Sequence, residues 1–476
     1  MPIMTRRHFL TFSAIAGGAT ATGGLLLSPP SLAKTNPLLI PPLIDARQQI
    51  GPIELTAQAG ETHFYPNTPS FTAGYNGHFL GPTIRVHKGD DVELSIKNTL
   101  NEATSIHWHG LLIPAELDGG PHQLIAPRET WQPVLPIRQK AASLWYHSHV
   151  HGRTAAQVYA GLAGMMIVTD EEEQALDLPS DYGVNDLPLI LQDRHFINNE
   201  MQLSNNMMDI MHGRRGETFL VNGTLQPYAE IPRGWVRLRL LNGANARSFA
   251  LSFSDKRSFY WIASEGGLLE QPVALTQLSL IPGERAEILV DFSDGALVSL
   301  VTQDDTSMPM MGMFNRAKNL VLSGSSLVTF QPTESSAPFK LPIKLTSLPT
   351  VMPDIAVRER SFHMNMGMNG FGINGQSFSM KRINEQVKLG SSEIWHLSGD
   401  MMGHPFHIHG VHFRVIARGG KKPLVRDQGL KDTVWVNEPV SVLVNFDFPA
   451  KQAPFMYHCH ILEHEDNGMM GQFKVV

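Results

Sequence analysis

Three stretches of the chain repeat one pattern of polar and apolar positions. Gly89-Asp90-Asp91-Val92-Glu93-Leu94-Ser95-Ile96, Gly234-Trp235-Val236-Arg237-Leu238-Arg239-Leu240 and Gly390-Ser391-Ser392-Glu393-Ile394-Trp395-His396-Leu397 each alternate after a glycine. Such alternation predicts a strand with one face buried and one face in water. An Asn-Gly turn signal precedes each copy: Tyr75-Asn76-Gly77, Val221-Asn222-Gly223 and Ile373-Asn374-Gly375. The pairs recur 146 and 152 residues apart, the size of a β-sandwich domain with its loops. The repeat therefore predicts three all-β domains built on one plan.

Composition agrees. Gly and Pro together number 73 and charged residues are 17%, which suits a turn-rich β chain better than a helical one. A net charge of −6 and a pI near 6.4 give no reason to expect nucleic acid or an anionic membrane as partner. With one cysteine in 476 residues, no internal disulfide can form.

The N-terminus reads as an export signal. Thr5-Arg6-Arg7-His8-Phe9-Leu10 precedes a Gly- and Ala-rich run to Leu27, then Ser31-Leu32-Ala33, a small-x-small cleavage pattern. The paired arginines resemble a twin-arginine signal, whose machinery exports folded proteins. Residues 1–33 are expected to be removed, leaving a periplasmic chain that begins near Lys34. No later stretch has about 18 uninterrupted apolar residues, so no membrane span is expected.

The lone cysteine lies in His458-Cys459-His460, with His464 and Met469 five and ten positions after it. A thiolate, an imidazole and a weak thioether form the ligand set of a blue electron-transfer copper. On a strand, Cys459 would face one side and His458 and His460 the other, so one tripeptide would join two metal sites. Histidines two apart recur in His107-Trp108-His109, His147-Ser148-His149 and His407-Ile408-His409, the last preceded by His404. Ten histidines in four motifs, one flanking the only thiol, do not suit a set of structural side chains.

The four motifs, in this order, resemble those of the multicopper oxidases, the family of laccases, ascorbate oxidase and bacterial cuprous oxidases; the resemblance runs from about residue 45 to the C-terminus. It implies three cupredoxin-like Greek-key β-sandwich domains at 45–180, 181–335 and 345–476, and four copper ions. His404, Cys459 and His464 would bind the blue copper with Met469 as axial ligand, Met470 being the alternative. His107 and His407 would hold the unpaired copper of a trinuclear cluster. His109, His147, His149, His409, His458 and His460 would hold its coupled pair. The second repeat continues to Asn242-Gly243-Ala244-Asn245 without histidine, so the middle domain is expected to be a copper-free spacer, with the cluster between the first and third domains.

The same resemblance implies oxidation of one-electron donors coupled to reduction of dioxygen to water. Asp118 and Glu465 stand where the family places its proton-relay carboxylates. Asp400 and Met402, just before His404, resemble the substrate-copper ligands of cuprous oxidases, since thioethers favour Cu(I). Further methionines at 308, 310, 311 and 313, and at 364, 366 and 368, fit copper capture or core packing equally well. No long methionine- and histidine-rich insertion lies between Met364 and His404, and an open blue site would admit phenols and diamines as in laccases. Expected partners are thus dioxygen and cuprous ion or small aromatic donors, bound by a monomer. His151 lies two beyond His149 and could share its face, but Gly152 follows at once and the family needs no further ligand there; the other histidines, among them His363 and His412, have no partner at metal spacing. Two other classes fit the ligand set less well: a copper nitrite reductase, which needs no coupled pair, and a scaffold protein like the exported cell-division relatives that keep the fold without the cysteine and most histidines.

Overall fold

Each Asn-Gly signal builds the same local structure. Asn76, Asn222 and Asn374 take left-handed φ angles of 57°, 51° and 53°, a conformation that asparagine tolerates better than other side chains. In each, Oδ1 accepts from a strand N–H: Thr56 at 2.6 Å, Ile190 at 2.8 Å and His363 at 2.7 Å. Nδ2 donates to the carbonyl two residues earlier: Glu54 at 2.8 Å, Pro188 at 2.9 Å and Ser361 at 2.8 Å. The clamped strands, Ile53–Tyr65, Asp186–Arg194 and Arg358–Gly367, run parallel to the alternating strands Asp91–Asn98, Trp235–Asn242 and Ser392–Gly399. One asparagine side chain thus ties the turn to its sheet three times over.

The computed structural model describes residues 36–203, 206–303, 325–335, 339–367 and 370–476. The expected export signal and Met308, Met310, Met311, Met313 and Met368 lie outside the described residues. Those described form strands with a few short helices, as the all-β reading expects.

In the first stretch, a sheet ordered Leu43–Asp45, Thr83–His87, Ala163–Thr169, Ala142–His147, His107–His109 accompanies one ordered Thr68–Tyr75, Ile53–Tyr65, Asp91–Asn98, Thr130–Trp131, with a core that includes Leu55, Ile84, Ile96 and Trp108. The middle stretch has a seven-stranded and a six-stranded sheet with a core around Leu189, Leu238, Phe253 and Phe330. In the third, Gly370–Ile373, Arg358–Gly367, Ser392–Gly399, Val440–Asn445 and Phe413–Arg418 form one sheet. Glu385–Val387, Met470–Val475, Phe455–Cys459, His404–Ile408 and Thr433–Val436 form the other. Cys459 and Met469 belong to the third core. Each fully buried Leu, Ile or Phe contributes about 1.5–3 kcal/mol.

One alternating strand departs from expectation. Asp91–Asn98 and Ser392–Gly399 alternate buried with more exposed residues, but Trp235–Asn242 is buried on both faces after Trp235. Its polar positions meet counter-ions instead of water. Arg239 is bidentate to Asp186 at 2.7 and 2.9 Å, and Arg237 reaches Glu287 and Glu173. Ser143 of the first stretch donates to Glu287 at 2.7 Å, so this charged layer lies where the first and middle stretches meet.

Burial alone would raise the Glu287 carboxyl, but Arg237 and Arg239 overcome it and hold the group at about 2. Because the folded value lies below the unfolded one, the stabilisation is complete above the ordinary carboxylate range and is lost as pH falls toward 2. Replacing Glu287 with Ala, which strands two buried guanidinium groups, is expected to cost about 3–5 kcal/mol in urea unfolding at neutral pH and less in acid. A pH-independent loss would contradict this account of the layer.

Candidate metal centre

Two antiparallel strand pairs place the histidines. His107 stands opposite His147, while His407 stands opposite His458 and Phe406 opposite Cys459. Residues directly opposite in an antiparallel pair project to the same face. His407 and His458 therefore share one face and Cys459 takes the other. His404, three residues before His407, falls on the Cys459 face.

On that face Cys459 Sγ lies 3.5 Å from His404 Nδ1 and 3.6 Å from His464 Nδ1. His404 Nε2 donates to the Asp400 carbonyl at 3.0 Å, and His464 Nε2 to the Met211 carbonyl at 3.2 Å. Both rings thus aim Nδ1 at the sulfur. Met469 is fully buried in the same core, and its carbonyl accepts from the Cys459 N–H at 3.1 Å. Met470 stands opposite His458 and so faces away from the sulfur, which favours Met469 for the axial position.

On the opposite face eight imidazoles converge. His107, His109 and His147 bring ligand atoms within 4.8 Å of one another, as do His107, His407 and His409, and His149, His409 and His458. His458 Nε2 lies 3.2 Å from His149 Nε2 and 3.1 Å from His409 Nε2. The His460 ring is 5.0 Å from that of His109. Hydrogen bonds turn most rings the same way: Nδ1 of His107 donates to the Asp118 carbonyl, of His147 to the Ser148 carbonyl, of His407 to the Asp432 carbonyl and of His458 to the Cys459 carbonyl, at 2.8–3.0 Å. His109 is reversed, with Nε2 donating to Asp432 Oδ1 at 3.1 Å.

These residues fit a metal. Nε2 of His107 and His407, both ring nitrogens of His460 and Nδ1 of His149 are buried without a hydrogen-bond partner, although buried polar atoms are normally paired. Burial holds His109, His147, His149, His409, His458 and His460 well below the usual imidazole value, in the neutral form that ligates metal. Burial also pushes the Cys459 thiol up, and a bound cation reverses such a shift. Two imidazoles with a thiolate and a thioether on one face, and imidazoles alone on the other, form a copper donor set.

Both relay candidates lie at this cluster. Asp118 Oδ2 accepts from His409 Nδ1 at 2.8 Å, while its Oδ1 is buried without a partner. Gly119 makes this approach possible: at φ 76°, a Cβ there would meet the Ile106 carbonyl oxygen at 1.7 Å. Glu465 lies 3.4 Å from His149 Nδ1 and 3.2 Å from His458 Nδ1, and burial pushes its carboxyl well up. Ser148 stands where the third stretch has Cys459, and its hydroxyl donates to Gln157 at 2.5 Å.

The donor side is less uniform. Asp400 is 40% exposed and accepts from His363 Nε2 at 2.9 Å. It lines a cavity of about 220 Å3 with Asn365, Met366, Phe371 and Ser377, and the Phe371 ring lies 4.9 Å from that of His464. Met402 instead packs into the third core at 9% exposure, as do Met364 and Met366, whereas Met401 is 69% exposed. Motif reasoning passed over Asp432, Arg285, His363 and Met211. Their partners lie far along the chain, and the charges in Lys431-Asp432 and Glu284-Arg285 beside apolar runs were the available signal.

Residues 56–173 and 344–476 match two profiles of the family described as Multicopper oxidase. A laccase-like multicopper oxidase, CueO, from Ochrobactrum sp. superposes with a TM-score of 0.85 at 40% identity over 92% of this chain and 100% of that one. The chain belongs to the multicopper oxidase family. A laccase from Pediococcus acidilactici superposes with a TM-score of 0.84 at 36% identity, covering 93% of this chain and 94% of its own. The cell division protein FtsP of Xenorhabdus nematophila is 40% identical over 99% of this chain and 98% of its own. Family membership therefore leaves oxidase and cell-division relatives side by side.

Replacing Cys459 with Ser removes the sulfur from one face and leaves the imidazoles on the other. The copper-loaded variant is expected to lose the intense visible absorption of a copper–thiolate bond and keep its histidine-bound copper. Retained blue colour would refute the assignment of this face.

Proposed function

We propose that the protein is an oxidase that takes single electrons from a donor beside His404 and His464 and uses them to reduce dioxygen to water. The observation that carries this reading is that ten histidines and Cys459 converge as two sets on opposite faces of one strand. Copper, when bound, would supply a one-electron carrier at His404, Cys459, His464 and Met469 and a three-ion centre for four-electron reduction of dioxygen. His107 and His407 would hold the unpaired ion of that centre, and His109, His147, His149, His409, His458 and His460 the coupled pair.

The chain's own residues supply the path and the protons. Cys459 joins the two faces through its own backbone, since its carbonyl accepts from His458 Nδ1 at 3.0 Å. Asp118, which accepts from His409 Nδ1, and Glu465, beside His149 and His458, stand where they can pass protons to the cluster. Asp400 docks the donor at the cavity beside His464, while the burial of Met402 at 9% favours the carboxylate as the first contact. Cuprous ion and small phenols or diamines both suit this opening, the first through copper tolerance. We place the three sandwich domains at 45–180, 181–335 and 345–476 and the mature protein in the periplasm, exported through its paired arginines. Among the described residues no helix is long and apolar enough to cross a membrane.

A second reading is a role in cell division, favoured by the 40% identity to FtsP over 99% of the chain. Oxygen uptake by the copper-loaded mature protein separates the two. The oxidase reading expects uptake with cuprous ion or a dimethoxyphenol and no hydrogen peroxide, and a greater loss with cuprous ion than with the phenol in Asp400→Ala. A fully loaded protein that consumes no oxygen would leave the cell-division reading in its place.

A further inference from the structure

His109 is turned opposite to its neighbours, and the acceptor that turns it is held from the middle stretch. Arg285 donates from Nη1 to Asp432 Oδ1 at 2.9 Å and from Nη2 to Oδ2 at 2.6 Å, with both side chains fully buried. Its remaining donors go to backbone carbonyls: Nε to Ser143 of the first stretch at 3.1 Å, Nη1 to Gly283 at 3.0 Å and Nη2 to Glu265 at 3.4 Å. One guanidinium therefore touches the first, middle and third stretches at once.

Neighbouring residues repeat the pairing. Lys431 Nζ donates to Glu265 at 2.8 and 3.0 Å and to Glu284 at 3.1 Å. The dipeptide Glu284-Arg285 thus meets Lys431-Asp432 with charges matched. Gly110, directly after His109, makes room for the pair: at φ 88°, a Cβ there would stand 2.3 Å from Arg285 Nη2 and 2.7 Å from Asp432 Oδ2. Gly283, whose carbonyl accepts from Arg285, also lies against the cluster: at φ 83°, a Cβ there would stand 3.0 Å from the His460 ring.

We infer that Arg285 is a positioning residue for the cluster: by clamping Asp432 against Nε2 of His109, it makes Nδ1 the nitrogen that His109 offers. A carboxylate is an acceptor only, so the ring nitrogen beside it must carry the hydrogen and the other must present its lone pair. A bidentate guanidinium fixes the carboxylate in plane as well as in place. Without the clamp, only the Thr433 hydroxyl, which donates to Asp432 Oδ1 at 2.8 Å, holds the carboxylate opposite Nε2, and a single rotatable donor leaves either nitrogen of His109 able to turn inward. The middle stretch, expected to be a spacer, then has a direct part in the chemistry of a centre to which it contributes no histidine. The inference rests on the proposed ligation for its metal consequence, but the tautomer itself does not.

The test is nitrogen NMR of the histidine-labelled, copper-free protein, with His109 assigned by comparison with His109→Gln. Wild type is expected to show His109 protonated at Nε2, and Arg285→Met a mixture of both tautomers. Should Arg285→Met fail to fold, Arg285→Lys, which keeps the charge but not the fork, is expected to show the same mixture. An unchanged Nε2–H tautomer in the folded variant would overturn the inference. In copper-loaded Arg285→Lys, histidine-cluster copper is expected to bind about 10–100-fold more weakly while the blue absorption stays intact. An equal loss at both sites would mean general damage and would also overturn it. If wild type binds no copper, the oxidase reading fails, and the tautomer result still decides this one.

Discussion

All the chemistry here depends on two antiparallel strand pairs, one near each end of the chain, meeting with their imidazoles between them. His107 opposite His147 and His407 opposite His458 give each pair a histidine face. Neither face could bury so many unpaired ring nitrogens alone. Packed together, they enclose a cluster whose orphaned atoms a bound cation would satisfy. The desolvation that keeps the rings neutral is the same constraint that makes metal the natural occupant.

Much of this was legible because ligand spacing is local. A period of two along a strand brings His107 and His109 to one face, and a spacing of three sends His404 and His407 to different faces. The Asn-Gly repeats were equally plain, since the asparagine that starts each turn also clamps its own sheet. What pattern could not show was pairing across the chain. Asp432 lies 323 residues from His109 and 147 from Arg285, and the charges beside apolar runs that flag both dipeptides do not say which residue pairs with which. The Trp235–Asn242 strand misled for a related reason: alternation identifies polar positions but cannot say whether Arg237 and Arg239 face water or buried carboxylates. Met402 looked like a surface ligand beside Asp400, yet the left-handed turn at Met401, φ 61°, turns Met401 outward and leaves Met402 in the core.

The family holds both oxidases and cell division proteins at the same 40% identity to this chain, so overall likeness does not choose between them. The choice rests on the site. Here Cys459, ten histidines, Asp118 and Glu465 are present and buried together, with the Arg285–Asp432 pair reaching His109 from the middle stretch. Burying so many unpaired polar atoms in a core is costly unless something binds them, which favours bound copper, the condition that the oxidase reading requires.

The most direct measurement is copper-edge anomalous diffraction from crystals of the copper-loaded protein. The account predicts one peak among His404, Cys459, His464 and Met469 and three among the eight histidines of the opposite face, with His109 bound through Nδ1. A protein that holds copper at the Cys459 face alone, or at neither face, would contradict it.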